Sequence, residues 1–263
     1  MSKYLTVYKN SLSSFLQYRL NLGLILIGQA ISLSGLLYIW IAIYKDGQTV
    51  GSYTLTGILT YYLILTLLRT TISEGVGMGF EVVHDINEGV ITNYLLKPFS
   101  YPLEKLVKLF GQATINTLFM APIAIFIGFL LRDYIQLPSL TNFLQFVGLA
   151  LVALTLYYLL YFLTALSSFW VTHGGNFIYA TIITSNFLNG GTLPLDLFPT
   201  WFQSISAYLP FQYFLYIPIQ GYFGNIENWL FTLSIALAWI IIFIIIVWTV
   251  WKMGIKKFEA VGR

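Results

Sequence analysis

Apolar residues run along this chain in long blocks, separated by short polar stretches. A helix needs about 20 mostly apolar residues to cross about 30 Å of hydrocarbon. Six windows reach or approach that length: Leu20 to Tyr44, Tyr53 to Ser73, Leu106 to Leu131, Phe143 to Leu166, Phe177 to Leu193 and Trp229 to Trp251. The fifth is the shortest and most polar, and the last, built on IALAWIIIFIIIVWTVW, is the least ambiguous. The pattern predicts an all-α membrane protein with six transmembrane helices. The first window is longer than twenty residues and ends without a small-residue cleavage pattern, so it is expected to be a retained span rather than a signal peptide.

Three segments fit neither a span nor a tight loop. In residues 1–19, Tyr4, Leu5, Tyr8, Leu12, Phe15 and Leu16 recur at helical spacing with Lys3, Lys9, Asn10 and Gln17 between them, which predicts an interfacial amphipathic helix. Residues 75–105 hold much of the charge of the chain. Residues 194–218 are too apolar for a free loop, yet Pro194, Pro199, Pro210 and Pro218 forbid one continuous helix. Short re-entrant helices dipping into the bilayer fit this last stretch, provided they pack on protein or line water. With no tandem repeat and no soluble domain, residues 1–263 read as a single membrane domain.

Composition agrees. Hydrophobic residues make up 58% of the chain and charged residues only 9%, where a soluble domain carries about 25% charge. The absence of cysteine removes disulfides, thiolate metal sites and cysteine nucleophiles. Basic residues set the orientation. Lys3, Lys9, Arg19, Lys97, Lys105, Lys108, Lys252, Lys256, Lys257 and Arg263 fall on one side, and only Lys45 and Arg132 on the other, each beside an aspartate. Both termini are therefore expected to be cytoplasmic, in agreement with an even number of spans. Trp201, Trp229, Trp248 and Trp251 lie near predicted interfaces, where they anchor.

The chain carries little chemistry of its own. The glycines of GVGMGF (Gly75, Gly77 and Gly79) lack the lysine and hydroxyl residue of a phosphate loop and read as a helix end or hinge. His84 and His173 stand in separate polar segments, and no HExxH or GxSxG motif is present, so neither catalytic nor metal residues are assigned. Arg69 and Glu74 are ionisable residues near the end of the second span. Arg69 is expected to snorkel to the headgroups, with Glu74 paired to it or facing water. A structural role is favoured over gating for both. In the fifth window Thr181, Ser185 and Asn189 repeat at four-residue spacing. That face reads equally as an interhelical hydrogen-bonding surface or as the lining of a translocation path.

The stretch VVHDINEGVITNYLLKPFSYPLEKL resembles the membrane subunit of type-2 ATP-binding-cassette exporters. The loop after their second span has the pattern I-x-x-G-x-I-x-x-x-L-L-x-P, matched by Ile86, Gly89, Ile91, Leu95, Leu96 and Pro98. NGGTLPLDLFPTWFQSISAYLPF is similar to the outer re-entrant hairpin of that family, with Gly191, Pro194, Pro199 and Pro210 at its turns. The tail WKMGIKKFEAVG also looks like that of the family. The resemblance is greatest to a bacterial subgroup, which implies the plasma (cytoplasmic) membrane of a bacterium. It further implies an ATP-driven permease with no cofactor of its own, since ATP and magnesium would bind separate ATPase subunits. The other partners implied are a second permease chain, as homo- or heterodimer, and the lipid bilayer, with no nucleic acid. Residues Phe80 to Leu96 would form the coupling helix, with Val83, Ile86, Val90 and Tyr94 on one face and Glu81, Asp85, Glu88 and Thr92 on another. Its acids would meet basic residues of the ATPase. The alternative is a stand-alone secondary carrier or channel.

Overall fold

The structure is a computed structural model that describes residues 2–17, 19–46, 50–95 and 99–258. Among these residues it is built of helices: α1 (Ser2–Gln17), α2 (Arg19–Ile43), α3 (Leu55–Ile72), α4 (Glu74–Asn87), α5 (Ile91–Leu95), α6 (Tyr101–Leu130), α7 (Leu140–Ala165), α8 (Gly175–Leu188), α9 (Thr200–Ala207), α10 (Tyr216–Phe223) and α11 (Trp229–Lys257). Side-chain caps start three of the long ones: Thr54 accepts from Gly57 N, Ser139 from Asn142 N and Asn228 from Phe231 N. Lys256 and Lys257 occupy the last turn of α11, where helix carbonyls favour cations.

Among the described residues, five helices are long and apolar enough to cross a membrane: Gly23–Ile43, Leu55–Asn87, Tyr101–Leu130, Leu140–Phe169 and Trp229–Lys257. Leu24, Ile31, Phe126, Leu144, Ile241 and Trp248 project from them exposed, as suits a surface that meets lipid. The expected fifth window behaves differently. Its helix α8 has 14 residues, about 21 Å at 1.5 Å per residue, short of the hydrocarbon thickness. It stops because Asn189 and the glycines after it turn the chain, with Gly190 at φ +78°.

A second short helix, α10, packs on the same neighbour, α7. α8 lies along one end of α7, where Thr181 meets Thr164 (3.3 Å) and Ser185 meets Tyr161 (3.2 Å). α10 lies along the other end, where Tyr222 packs edge-on against Phe146 and an added Cβ at Gly221 would meet Leu149. Tyr216 N donates to Asn189 O at 3.0 Å, so α10 resumes where α8 stops. α10 itself is about 12 Å long.

The second span also differs from expectation. Only Ser73 separates α3 from α4, and its helical backbone (φ −58°, ψ −22°) donates to Arg69 O. The two form one rod of 33 residues, about 50 Å long. The predicted helix Phe80–Leu96 is thus the end of this rod, a turn, and α5. The turn is at Gly89, whose φ of +71° is a left-handed value. The glycine cluster, expected as a helix end or hinge, lies inside the rod as a close helix crossing. A Cβ at Gly75 would sit 2.8 Å from Tyr157, and one at Gly79 would sit 3.3 Å from the backbone oxygen of Tyr161.

The amphipathic α1 packs against α6. Tyr8 and Thr114 hydroxyls meet at 3.0 Å, and Ser11 lies directly over Gly111. Its Leu5 stays exposed. Leu96 and Pro98, with the end of the tail from Glu259 onward, lie outside the described residues.

Gly79→Leu is expected to overpack the α4–α7 crossing and destabilise the protein by about 1–3 kcal/mol. Gly77→Ala, where a Cβ meets nothing within 4 Å, is expected to be neutral or stabilising by up to about 1 kcal/mol. Thermal midpoints of the two variants in detergent, read by fluorescence-detected size exclusion, check the contrast.

Candidate functional site

The break between α8 and α10 frees carbonyls that neither helix satisfies. Side chains of α3 take them in order. Tyr61 OH donates to Gly190 O (2.7 Å), Arg69 Nη2 to Gly191 O (2.7 Å) and Tyr62 OH to Thr192 O (3.0 Å). These three residues lie about 9 to 21 Å along α3 from Leu55, so the turn packs beside the interior of the candidate span Leu55–Asn87. Gly191 N donates to Asn189 Oδ1 at 2.8 Å. Gly191 has no room for a side chain, since a Cβ would run into Arg69 Nη2 and Asn189 Oδ1. Arg69, expected to snorkel to the headgroups, instead turns to this loop. Glu74, expected to pair with Arg69 or face water, makes no ion pair with Arg69 among the described residues; its Oε1 accepts from Asn116 Nδ2 of α6 at 2.8 Å.

The polar face of α8 is turned mostly inward. Ser185 is 0% exposed and Asn189 1% exposed, both held inside the chain. Thr181 is partly exposed and borders a groove of about 400 Å³ with Leu160, Leu163, Phe177 and Thr184.

Pro194, Pro199 and Pro210 each begin or precede a helical piece, as a fixed φ without an N–H favours, and Pro218 lies in the first turn of α10, where its missing N–H costs nothing. Pro194 precedes the single turn Leu195–Leu197, Pro199 caps α9 and Pro210 opens the turn Pro210–Tyr213. Asp196 accepts from Tyr53 OH at 3.2 Å. Tyr53 in turn accepts from Gln220, which accepts from Asn225. Burial pushes the Asp196 carboxyl above its ordinary range, although the Tyr53 hydrogen bond pulls it back.

At the other end, α4 meets the start of α6 through charge. Lys105 is 1% exposed and pairs with Glu81 and, at 2.8 Å, with Asp85. Lys108 Nζ reaches both oxygens of Glu81 at 2.7 Å, and Tyr101 OH donates to Asp85 at 2.7 Å. Glu81 and Asp85, expected on a partner-facing surface, are therefore engaged within the chain. Ile86 and Ile91 are in the core. Glu88 is exposed at the turn and Gly89 half-buried. Asn87 Nδ2 donates to Thr172 O at 3.1 Å, and the turn borders a cavity of about 200 Å³ lined also by Trp170, Lys257 and Phe258. The backbone of Leu95 ends α5.

A long all-helical chain with this architecture matches one family profile, described as ABC-2 family transporter protein, over residues 30–262. The chain belongs to the ABC-2 transporter family. No curated protein matches it. ABC-2 membership makes it an ABC transporter permease, an integral membrane transport component that is not itself catalytic, and implies ATPase partners.

Several residues of this ABC-2 permease that shape its sites are not visible as such in the sequence. Tyr61 and Tyr62 read as ordinary apolar positions of a span, and nothing in their spacing marks the carbonyls they hold. Lys105 and Lys108 bear, in the sequence, on orientation alone. Their three-residue spacing, opposite the four-residue spacing of Glu81 and Asp85, is a signal that could have paired the two helices.

Lys105→Met is expected to leave Asp85 buried and unpaired and to destabilise the protein by about 3 kcal/mol. Adding Asp85→Asn should recover part of the lost thermal midpoint. Asp196 gives a pH effect of defined sign. Its folded pKa lies above the ordinary value of 3.8, so its stabilising contribution is full below that value and is lost as pH rises through the folded pKa. Thermal midpoints should rise on acidification across that window, and Asp196→Asn should remove this part of the pH dependence.

Proposed function

We propose that this chain is the permease half of an ATP-driven exporter, assembled with a second permease chain and energised by two separate ATPase subunits. The observation that carries the reading is the continuous rod from Leu55 to Asn87. One end of the rod bears the turn at Glu88 and Gly89. Further along, Tyr61, Tyr62 and Arg69 hold the mid-membrane break. Displacement of the turn by a partner would therefore reach the break through a single stiff element, with Lys105 fixing the rod to α6. This is the kind of rigid-body coupling that alternating access needs.

In this reading α8 and α10 are the two halves of a fifth crossing, which gives six crossings in all. The segment between them, residues 189–215, leaves the membrane centre and returns to it as a re-entrant lid on the outer side. The basic end, with Lys105, Lys108, Lys252, Lys256 and Lys257, is cytoplasmic, as are both termini, in the plasma membrane of a bacterium. The ATPase contact narrows to Glu88, Gly89 and the flanking Asn87 and Val90, with Ile86 and Ile91 supporting the turn; Leu95, Leu96 and Pro98 extend it in sequence. Glu81 and Asp85 fix its position. A stand-alone carrier would also use a discontinuous helix, but the family is one of ABC transporters.

Affinity purification of the chain from its native membrane is expected to retain an ABC ATPase. Glu88→Lys and Gly89→Val are each expected to weaken that retention at least about tenfold, or about 1.4 kcal/mol, while the permease itself stays folded. Isolation of wild-type protein without any nucleotide-binding partner would overturn the reading.

A further inference from the structure

Arg69 is an ionisable side chain in the middle of a membrane-crossing rod, and such residues are rare unless they pair or handle a ligand. It is exposed on the surface of the single chain. Its guanidinium has five N–H donors, and one hydrogen bond, to Gly191 O, is all it makes among the described residues. It has no carboxylate within ion-pair distance among those residues. Beside it stands a second donor without an acceptor. The hydrogen bond from Gly191 N fixes Asn189 Oδ1, which leaves Asn189 Nδ2 buried and unpartnered. Arg69 Nη2 and the Asn189 side chain approach the same point on Gly191 from two sides.

A second copy of the chain offers little to neutralise this charge. The carboxylates other than Glu74 whose side chains the structure describes belong to the two ends: Glu81, Asp85, Glu88 and Glu104 at one, Asp133, Asp196 and Glu227 at the other. Glu74 is already engaged by Asn116. Exposed Leu193 stands two residues after Gly191, so a ligand reaching the break meets apolar surface close to the two donors.

We propose that Arg69 and Asn189 bind the anionic headgroup, phosphate or carboxylate, of an amphiphilic substrate at the α8–α10 break. The planar guanidinium accepts two oxygens of such a group, and the Asn189 amide supplies a further donor. The proposal rests on the transport reading, and adds the substrate class to it. Binding of the headgroup competes with Gly191 O for Arg69, which couples substrate arrival to release of the break.

The test uses the purified full-length chain in a neutral detergent, titrated with dodecyl phosphate, dodecanoate and the zwitterionic dodecylphosphocholine, with binding read from the shift in thermal midpoint. Wild type is expected to bind at least one of the two anions at least tenfold more tightly than the zwitterion, and the better of the two identifies phosphate or carboxylate. Arg69→Gln should remove the difference. Asn189→Asp keeps the acceptor for Gly191 N while placing an internal anion against Arg69, and should also remove it, so the proposal stays testable if Arg69→Gln does not fold. Lys252→Gln, at the end of α11, should retain it. Equal binding of all three probes by wild type, or an unchanged anion preference in Asn189→Asp, would overturn the proposal. Because binding is read without an ATPase, loss of the anion preference together with a co-purifying ATPase would reject the substrate class and leave the transport reading standing.

Discussion

A backbone that breaks its helix inside a bundle of apolar helices must find donors for the carbonyls it frees, because apolar side chains supply none. Here three consecutive carbonyls, of Gly190, Gly191 and Thr192, are taken by Tyr61, Arg69 and Tyr62 of one neighbouring helix. Much else depends on that arrangement. It lets α8 end after 14 residues and α10 resume beside it. It allows the proline-broken segment to be inserted between them, and it demands glycine at position 191.

The same helix that supplies those donors runs on without interruption to the basic end. There the problem is reversed: charges, rather than carbonyls, must be satisfied. Lys105 is nearly fully buried and is acceptable only because Glu81 and Asp85 surround it. The ion cluster holds α4 to α6 beside the exposed turn at Glu88. The rod is thus tied at one end by charge and at its middle by hydrogen bonds to the break. In the proposed transport reading, this arrangement links the exposed turn at Glu88 to the break.

The close crossing of α4 and α7 serves the same end by different physics. Gly75 and Gly79 bring the backbones together where side chains would hold them apart. In the sequence those glycines look like a place to end or bend a helix, since glycine costs about 1 kcal/mol in a helix interior. Packing against Tyr157 and Tyr161 overrides that local preference.

The sequence by itself determined the solvent of this protein and most of its long helices, because an apolar run of sufficient length leaves few alternatives. The first, third, fourth and sixth windows are recovered as α2, α6, α7 and α11 within a few residues of their expected ends. The proline positions were also legible, since a residue with no N–H restricts where a helix can start. Tertiary structure alone decided how partners are chosen. Glu81 and Asp85 turn inward because lysines some twenty residues downstream, on another helix, reach them first. Arg69 turns to Gly191, 122 residues away, rather than to the headgroups. Local spacing carries no record of such contacts, because each depends on which helix faces which across the bundle.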